Sequence, residues 1–387
     1  MDEKELHIGE HQEQDEQNPV ARELHTEEFL VNMGPQHPST HGVCRLLLTM
    51  DGEVIVKVEP YIGYLHRAIE KICENRIYNQ ITPFMDRFEY VSSMLADWVY
   101  ALCVERIGQI EVSPRAEYLR VIFGELQRIA SHLIYWGVFA MDLGAVTPFL
   151  YGLREREMIM DLFEETCGQR LTYNYIRIGG VSQDINPGFE QKCKKFTSYM
   201  CQVLEDYETL LNENPIFLSR TKNIGVAPPE LSVAYGVSGP SLRASGVNWD
   251  IRKDDPYGYY EKFEFEIPQG KNYDTWDRYQ ARVIEMRESC KIIEQALDGL
   301  PEGDPTFKMR ASFKLPEGEY YARIESSRGE MGCYIVSKGE KKPYRLKLRG
   351  SSFNNLMIIP EISKGLKIAD LVAIFASYDI IMPEVDR

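Results

Sequence analysis

Five stretches of this chain repeat apolar residues at three- and four-residue steps, and that periodicity makes a helical bundle the natural fold for its middle. In 86–107 the repeating positions are Phe88, Val91, Leu95, Trp98 and Leu102. The next stretch opens with Ser113 as N-cap and Pro114 in the first turn, repeats Leu119, Ile122, Leu126, Ile129 and Leu133, and fades near Asp142. A third covers 152–166 with Gly168 as its stop. A fourth starts after Asn186-Pro187 and carries Phe189, Phe196, Val203, Tyr207 and Leu210; a fifth, 274–297, aligns Trp276, Tyr279, Val283, Met286 and Ile293. Long helices with wide apolar faces pack around a buried centre. On either side the pattern is of strands. Apolar runs at 29–33 and 43–50, then Asp51-Gly52 and 53–58, predict a small antiparallel unit with a tight hairpin. Runs at 319–325, 332–338 and 343–348, with turns at Gly329 and Gly339, predict a second sheet, and 366–375 a last helix. The expected class is therefore α+β, divided into an acidic mobile tail (1–26), an N-terminal β unit (27–62), a helical bundle (63–300) and a C-terminal β/helix part (301–387).

Charge and cysteine usage narrow the function. With 59 acidic against 44 basic residues, the net charge of −15 argues against a nucleic-acid partner and against a polybasic grip on lipid. No stretch reaches the roughly 20 apolar residues of a spanning helix; 129–141, which includes His132, reads as a buried core helix. Membrane attachment would have to come from a protein partner. The acidic start MDEKELHIGEHQEQDEQ lacks the features of a signal or transit peptide, so the chain is expected to stay where it is made. None of the eight cysteines stands in C-x-x-C spacing, which suits scattered core thiols better than iron–sulfur or zinc ligation. The long loop region 224–246 has neither a G-x-G-x-x-G nor a P-loop pattern.

The most unusual segment is the loop GPQHPSTHG, Gly34 to Gly42. His37 and His41 lie four apart, a metal-binding spacing on a helix, but Pro35 and Pro38 disfavour a helix and no third ligand is near. Two readings stay open: histidines that hydrogen-bond the backbone, or a stiff loop that presents imidazole to a cavity, where it can bond a carbonyl oxygen and donate a proton near neutral pH. Tyr90 reads as a half-buried core tyrosine unless it reaches that loop. Asp142, a carboxylate at the unfavourable end of a helix dipole, reads as solvated unless it pairs with an imidazole. His66 and Arg67 read as an exposed charged helix, or as a guanidinium set against an anionic group on a partner.

Seven segments in order, NMGPQHPSTHG, YIGYLHRAIEKICENR, DLGAVTPFLYGLRERE, YIRIGGVSQD, SGVNWDIRKDDPY, DRYQARVIEMR and YDIIMPEVDR, resemble the hydrogenase-like large subunit of respiratory complex I, the D-type subunit family of bacterial NADH–quinone oxidoreductases. The likeness runs from about Phe29 to Arg387. It implies a quinone pocket in which His41 and Tyr90 hold the two carbonyls of the headgroup. Asp142 pairs with that histidine, and Gly34, His37, Pro38 and Gly42 form the loop scaffold. Arg67 stands beside the terminal iron–sulfur cluster of the small, B-type partner. It further implies that this chain binds no cofactor, and that FMN, NADH and the clusters sit on other subunits. The B-, C- and I-type partners and the membrane-embedded H-type component would hold it on the cytoplasmic face of the membrane. The related nickel–iron hydrogenases bind metal through two cysteine pairs. Here the C-terminal positions are Ile381 and Glu384, and no cysteine stands near Tyr90, so the resemblance implies an empty metal site free for quinone. Thr172 departs from the histidine many relatives carry, which predicts a terminal cluster without proton-coupled tuning by that route, and a menaquinone acceptor. The same module fed by ferredoxin or a deazaflavin, a true hydrogenase subunit, and a structural scaffold are the alternatives.

Overall fold

The computed structural model describes residues 27–40, 42–307 and 312–387; the acidic tail lies outside these. The chain is α+β as expected. Strands β1 (Glu28–Met33), β4 (Arg45–Asp51) and β5 (Val54–Tyr61) form an antiparallel sheet in the order β1-β4-β5, with the short β2 (Gln36–His37) and β3 (Gly42–Val43) paired as a separate ribbon between β1 and β4. The strand period of two puts Leu46, Leu48 and Met50 on one face. That face does not pack on the bundle. It shares an apolar core with Leu356, Ile359, Leu371, Ile374 and Phe375 from the far end of the chain.

The bundle comprises α1 (Thr82–Phe88), α2 (Ser93–Gly108), α3 (Pro114–Asp142), α4 (Val146–Cys167), α5 (Phe189–Asn212) and α6 (Thr275–Asp298). Ser113 caps α3 by accepting the Ala116 amide at 3.3 Å, and Gly168 ends α4 in the left-handed conformation. Helix α4 starts six positions before the periodic pattern, at Val146, because two glycines let it lie close on α3. A Cβ on Gly152 would come within 2.7 Å of the Leu133 carbonyl oxygen, and one on Gly137 within 2.8 Å of the Phe149 Cα. The single helix expected over 86–107 is instead two, α1 and α2, broken at Glu89–Ser92. A meander of β6 (Glu317–Ser326), β7 (Gly329–Lys338) and β8 (Arg345–Arg349) packs on α2. Helices α7 (Ser351–Met357), α8 (Ile368–Ser377) and α9 (Met382–Asp386) close the chain. The expected loop at 224–246 contains the short helices Pro229–Ala234 and Pro240–Ala244.

Helix α3 is buried nearly all round, and it carries charge into the centre. Glu125 accepts hydrogen bonds from Arg128 (3.1 Å), Arg252 (3.2 Å), Tyr260 (2.6 Å) and Ser289 (2.6 Å). Arg252 also pairs with Asp250 at 2.7 Å. Arg243 reaches Asp250 (3.4 Å), Glu285 (2.5 Å) and Glu325 (2.9 Å), and Glu285 meets His132 at 2.9 Å. Within this group three guanidiniums face four carboxyls. The imbalance falls on Glu325, which burial pushes up to about 7 although Arg243 opposes the rise. Glu125 goes the other way: burial works against its charge, but Arg128 and Arg252 together hold it near 2.

Two outcomes are expected. Arg243→Met leaves Glu285 and Glu325 short of counter-charge and should cost about 3–5 kcal/mol of stability, read from the shift in denaturant midpoint. Glu125 contributes stability above its ordinary 4.5 that is lost as pH falls through about 2, whereas Glu325 is protonated in the fold and ionised in the unfolded chain between 4.5 and about 7. Stability should therefore drop as pH rises across that upper window, and Glu325→Gln should flatten the slope in equilibrium unfolding measured from pH 4.5 to 8.

Candidate functional site

The C-terminal residues 379–386 contact Gly42, Arg328 and the Gly63–His66 loop. Gly42 sits on Met382; a Cβ there would lie 3.3 Å from the Met382 Cγ. The turn Pro38–Thr40 packs on α8, as does α3. The loop is tied within itself. Buried Thr40 donates its hydroxyl to the His37 carbonyl at 2.9 Å, with the Gly42 carbonyl 3.1 Å away. The Ser39 amide donates to His37 Nδ1 at 3.2 Å, so that histidine holds the turn through its ring nitrogen. Gly34 has φ +96°, and a Cβ there would fall 2.0 Å from the Cys44 carbonyl oxygen, so only glycine lets β1 turn into the loop this close to Cys44. His41 itself lies outside the described residues.

Tyr90 stands at the break between α1 and α2, on the turn Tyr90–Ser92, and is 38% exposed. The break has a cause that periodicity does not carry. Glu89 leaves the helix at φ −136° and ψ 86°, and its carboxylate accepts the Val91 amide at 3.1 Å. It also pairs at 3.3 Å with Arg328, which lies buried in the turn between β6 and β7. Arg328 bonds Asp379 through both its carboxylate (3.1 Å) and its carbonyl (2.9 Å), and approaches the hydroxyls of Ser327 (3.2 Å) and Ser92 (3.4 Å). Burial pushes Glu89 up to about 7 against the pull of Arg328. Partial desolvation also raises the Tyr90 phenol, again against Arg328.

Arg328 thus stands between Glu89 and Asp379 and pairs with both. Ile381 is buried, and Glu384 accepts the Ser351 amide at 2.7 Å together with the Ser351 and Ser352 hydroxyls. Neither Arg328 nor Glu89 stands out in the sequence. A lone arginine between two apolar strands was the available signal, and a weak one.

Asp142 is the last residue of α3 and is half-buried. Arg67 lies before the short helix Ile69–Cys73 rather than on a charged helix; it is exposed and donates to the Arg87 carbonyl at 2.8 Å. With Ile69, Ile72, Pro83, Phe84 and Arg87 it lines a surface cavity of about 330 Å³. The loop ahead of it is pinned from the C-terminus. Asp386 accepts the Gly63 and Leu65 amides, both at 2.7 Å, and its carbonyl meets His66 Nδ1 at 2.8 Å. The structure thus brings the Gly34–Gly42 loop, Tyr90 and the loop bearing Arg67 onto one segment.

A helical bundle with an arginine-centred ion cluster, closed by its own C-terminus, is the scaffold to which the comparisons give a family. The sequence pattern described as "Respiratory-chain NADH dehydrogenase, 49 Kd subunit" matches residues 142–387, and the chain belongs to this family. Its relatives include proteins named as the D-type subunit of NADH-quinone oxidoreductase. One from Desulforamulus reducens is 52% identical over 94% of this chain and 99% of its own length. Those from Bacillus mycoides and Bacillus cytotoxicus are each 51% identical over 94% of this chain and 100% of their own.

Replacing Asp386 with alanine should free the two pinned amides. Hydrogen exchange at Gly63 and Leu65 is expected to rise at least about tenfold, while the β4–β5 ladder stays protected.

Proposed function

We propose that this chain forms the quinone-reduction pocket of an NADH–quinone oxidoreductase, with Tyr90 and His41 hydrogen-bonded to the two carbonyl oxygens of the headgroup. The observation that carries the reading is the position of Tyr90. Its ring is partly open to the outside, and the buried Arg328 guanidinium pairs with the residue before it, Glu89, and draws the phenol's pKa down against its desolvation. The loop on either side of position 41 is anchored to the segment that holds Arg328. Negative charge develops on the quinone oxygens as electrons arrive, and preorganised donors with a fixed positive charge behind them stabilise that charge more than they stabilise the neutral ground state.

In this reading Asp142 pairs with the His41 imidazole and raises its affinity for a proton. Arg67, on the exposed face with the surface cavity, lies against the small partner that carries the terminal iron–sulfur cluster. NADH, FMN and the clusters belong to other subunits, so electrons reach the pocket through that partner. No helix among the described residues is long and apolar enough to cross a membrane. Attachment to the cytoplasmic face then falls to partners such as the membrane-embedded H-type component, with the B-, C- and I-type partners completing the surroundings. The domain division at 62 and 300 is the working partition for truncation.

The test uses the assembled complex. Tyr90→Phe and His41→Ala should each lower quinone reduction by on the order of a hundredfold, while NADH oxidation by a hydrophilic acceptor upstream of the pocket is kept. Unchanged quinone turnover across short- and long-tailed quinones would remove both residues from the pocket.

A further inference from the structure

Outside the site, two helices bring thiols together. α5 and α6 run antiparallel, as their cross-links show. Lys194 meets Asp298, Thr197 donates to Glu294 at 2.8 Å, and Glu208 pairs with Arg287 at 3.0 Å, so partners descend along α6 as they ascend along α5. Cys201 lies between Thr197 and Glu208, and Cys290 lies between Glu294 and Arg287. The flanking pairs set the two thiols at the same level of the packed helices, facing one another. Cys201 is half-buried and Cys290 is buried.

We propose that Cys201 and Cys290 form a redox-active dithiol, in which Cys201 is attacked first by a hydroperoxide and Cys290 resolves it to a disulfide that joins α5 to α6. The chemistry balances. The Cys201 thiolate sulfur attacks one peroxide oxygen, the O–O bond breaks, and the other oxygen leaves with a proton as an alcohol or water. The resulting sulfenic acid is then displaced by the Cys290 sulfur, which gives up its proton. An S–S bond forms and a second water departs.

The local electrostatics suit the roles. The neighbouring Cys290 thiol lowers the Cys201 thiol to about 7; burial and Glu294 oppose this, and Arg287 and Lys291 assist. Cys290 is pushed up by Cys201 and by burial, as a resolving thiol kept protonated should be. The chain contains its own control. Cys103 on α2 and Cys333 on β7, which packs on it, are a second pair of neighbouring thiols, but both are buried. Proximity without access should leave that pair reduced.

The experiment treats the assembled complex with hydrogen peroxide, blocks remaining thiols with an alkylating reagent, and digests without reductant for mass spectrometry. A peptide linking Cys201 to Cys290 is expected, removed by dithiothreitol, and at least tenfold more abundant than any Cys103–Cys333 link. In C290S, Cys201 should stop at sulfenic acid and take up dimedone; in C201S neither product should form. The proposal fails if Cys201 and Cys290 are recovered alkylated after treatment, if the Cys103–Cys333 link forms equally, or if Cys201 of C290S takes up no dimedone.

Discussion

Charge buried inside the bundle is the constraint on which the rest of this structure depends. Desolvating a guanidinium or a carboxylate is costly, and only close pairing with further hydrogen bonds recovers the loss. Arg128, Arg243 and Arg252 meet that condition jointly with Glu125, Asp250, Glu285 and Glu325. The group ties α3 and α6 to the segment 243–252 and to the end of β6. Its surplus carboxyl is accommodated by a proton on Glu325 up to about neutrality.

From the end of β6 the same logic runs outward. Arg128 donates to the Glu325 carbonyl at 2.6 Å, and Ser131 reaches Ser327 at 3.0 Å. The next residue is Arg328, the cation shared by Glu89 and Asp379. One strand end therefore joins the bundle's inner ion network to the cluster behind Tyr90. A pull on Glu89 breaks what would otherwise be a continuous helix and turns Tyr90 outward.

The C-terminal residues supply the second organising principle. Asp379, Met382, Glu384 and Asp386 contact, respectively, Arg328, Gly42, α7 and the Gly63–Arg67 loop. Segments more than 300 residues apart along the chain meet there. The first apolar sheet packs on the same end of the chain, so the loop that follows it is held both by its own hydrogen bonds and by the last residues.

Much of this was legible in the sequence. The helices that open at Ser113 and Asp274 and the one stopped by Gly168 follow from local capping and periodicity, which act within one or two turns. The Asp51-Gly52 hairpin and the meander around Gly329 follow from turn chemistry and the strand period. The resemblance named the family and the residues now proposed for the pocket. What the sequence left out is non-local. The break at Glu89, the pairing of Arg328 with Glu89 and Asp379, the burial of Arg243 in an apparent loop, and the facing of Cys201 and Cys290 each depend on a partner tens to hundreds of residues away. Periodicity reports which face of an element is apolar. Only the packed structure decides which buried charge finds a counter-charge, because that is settled by distances between elements that no local pattern encodes.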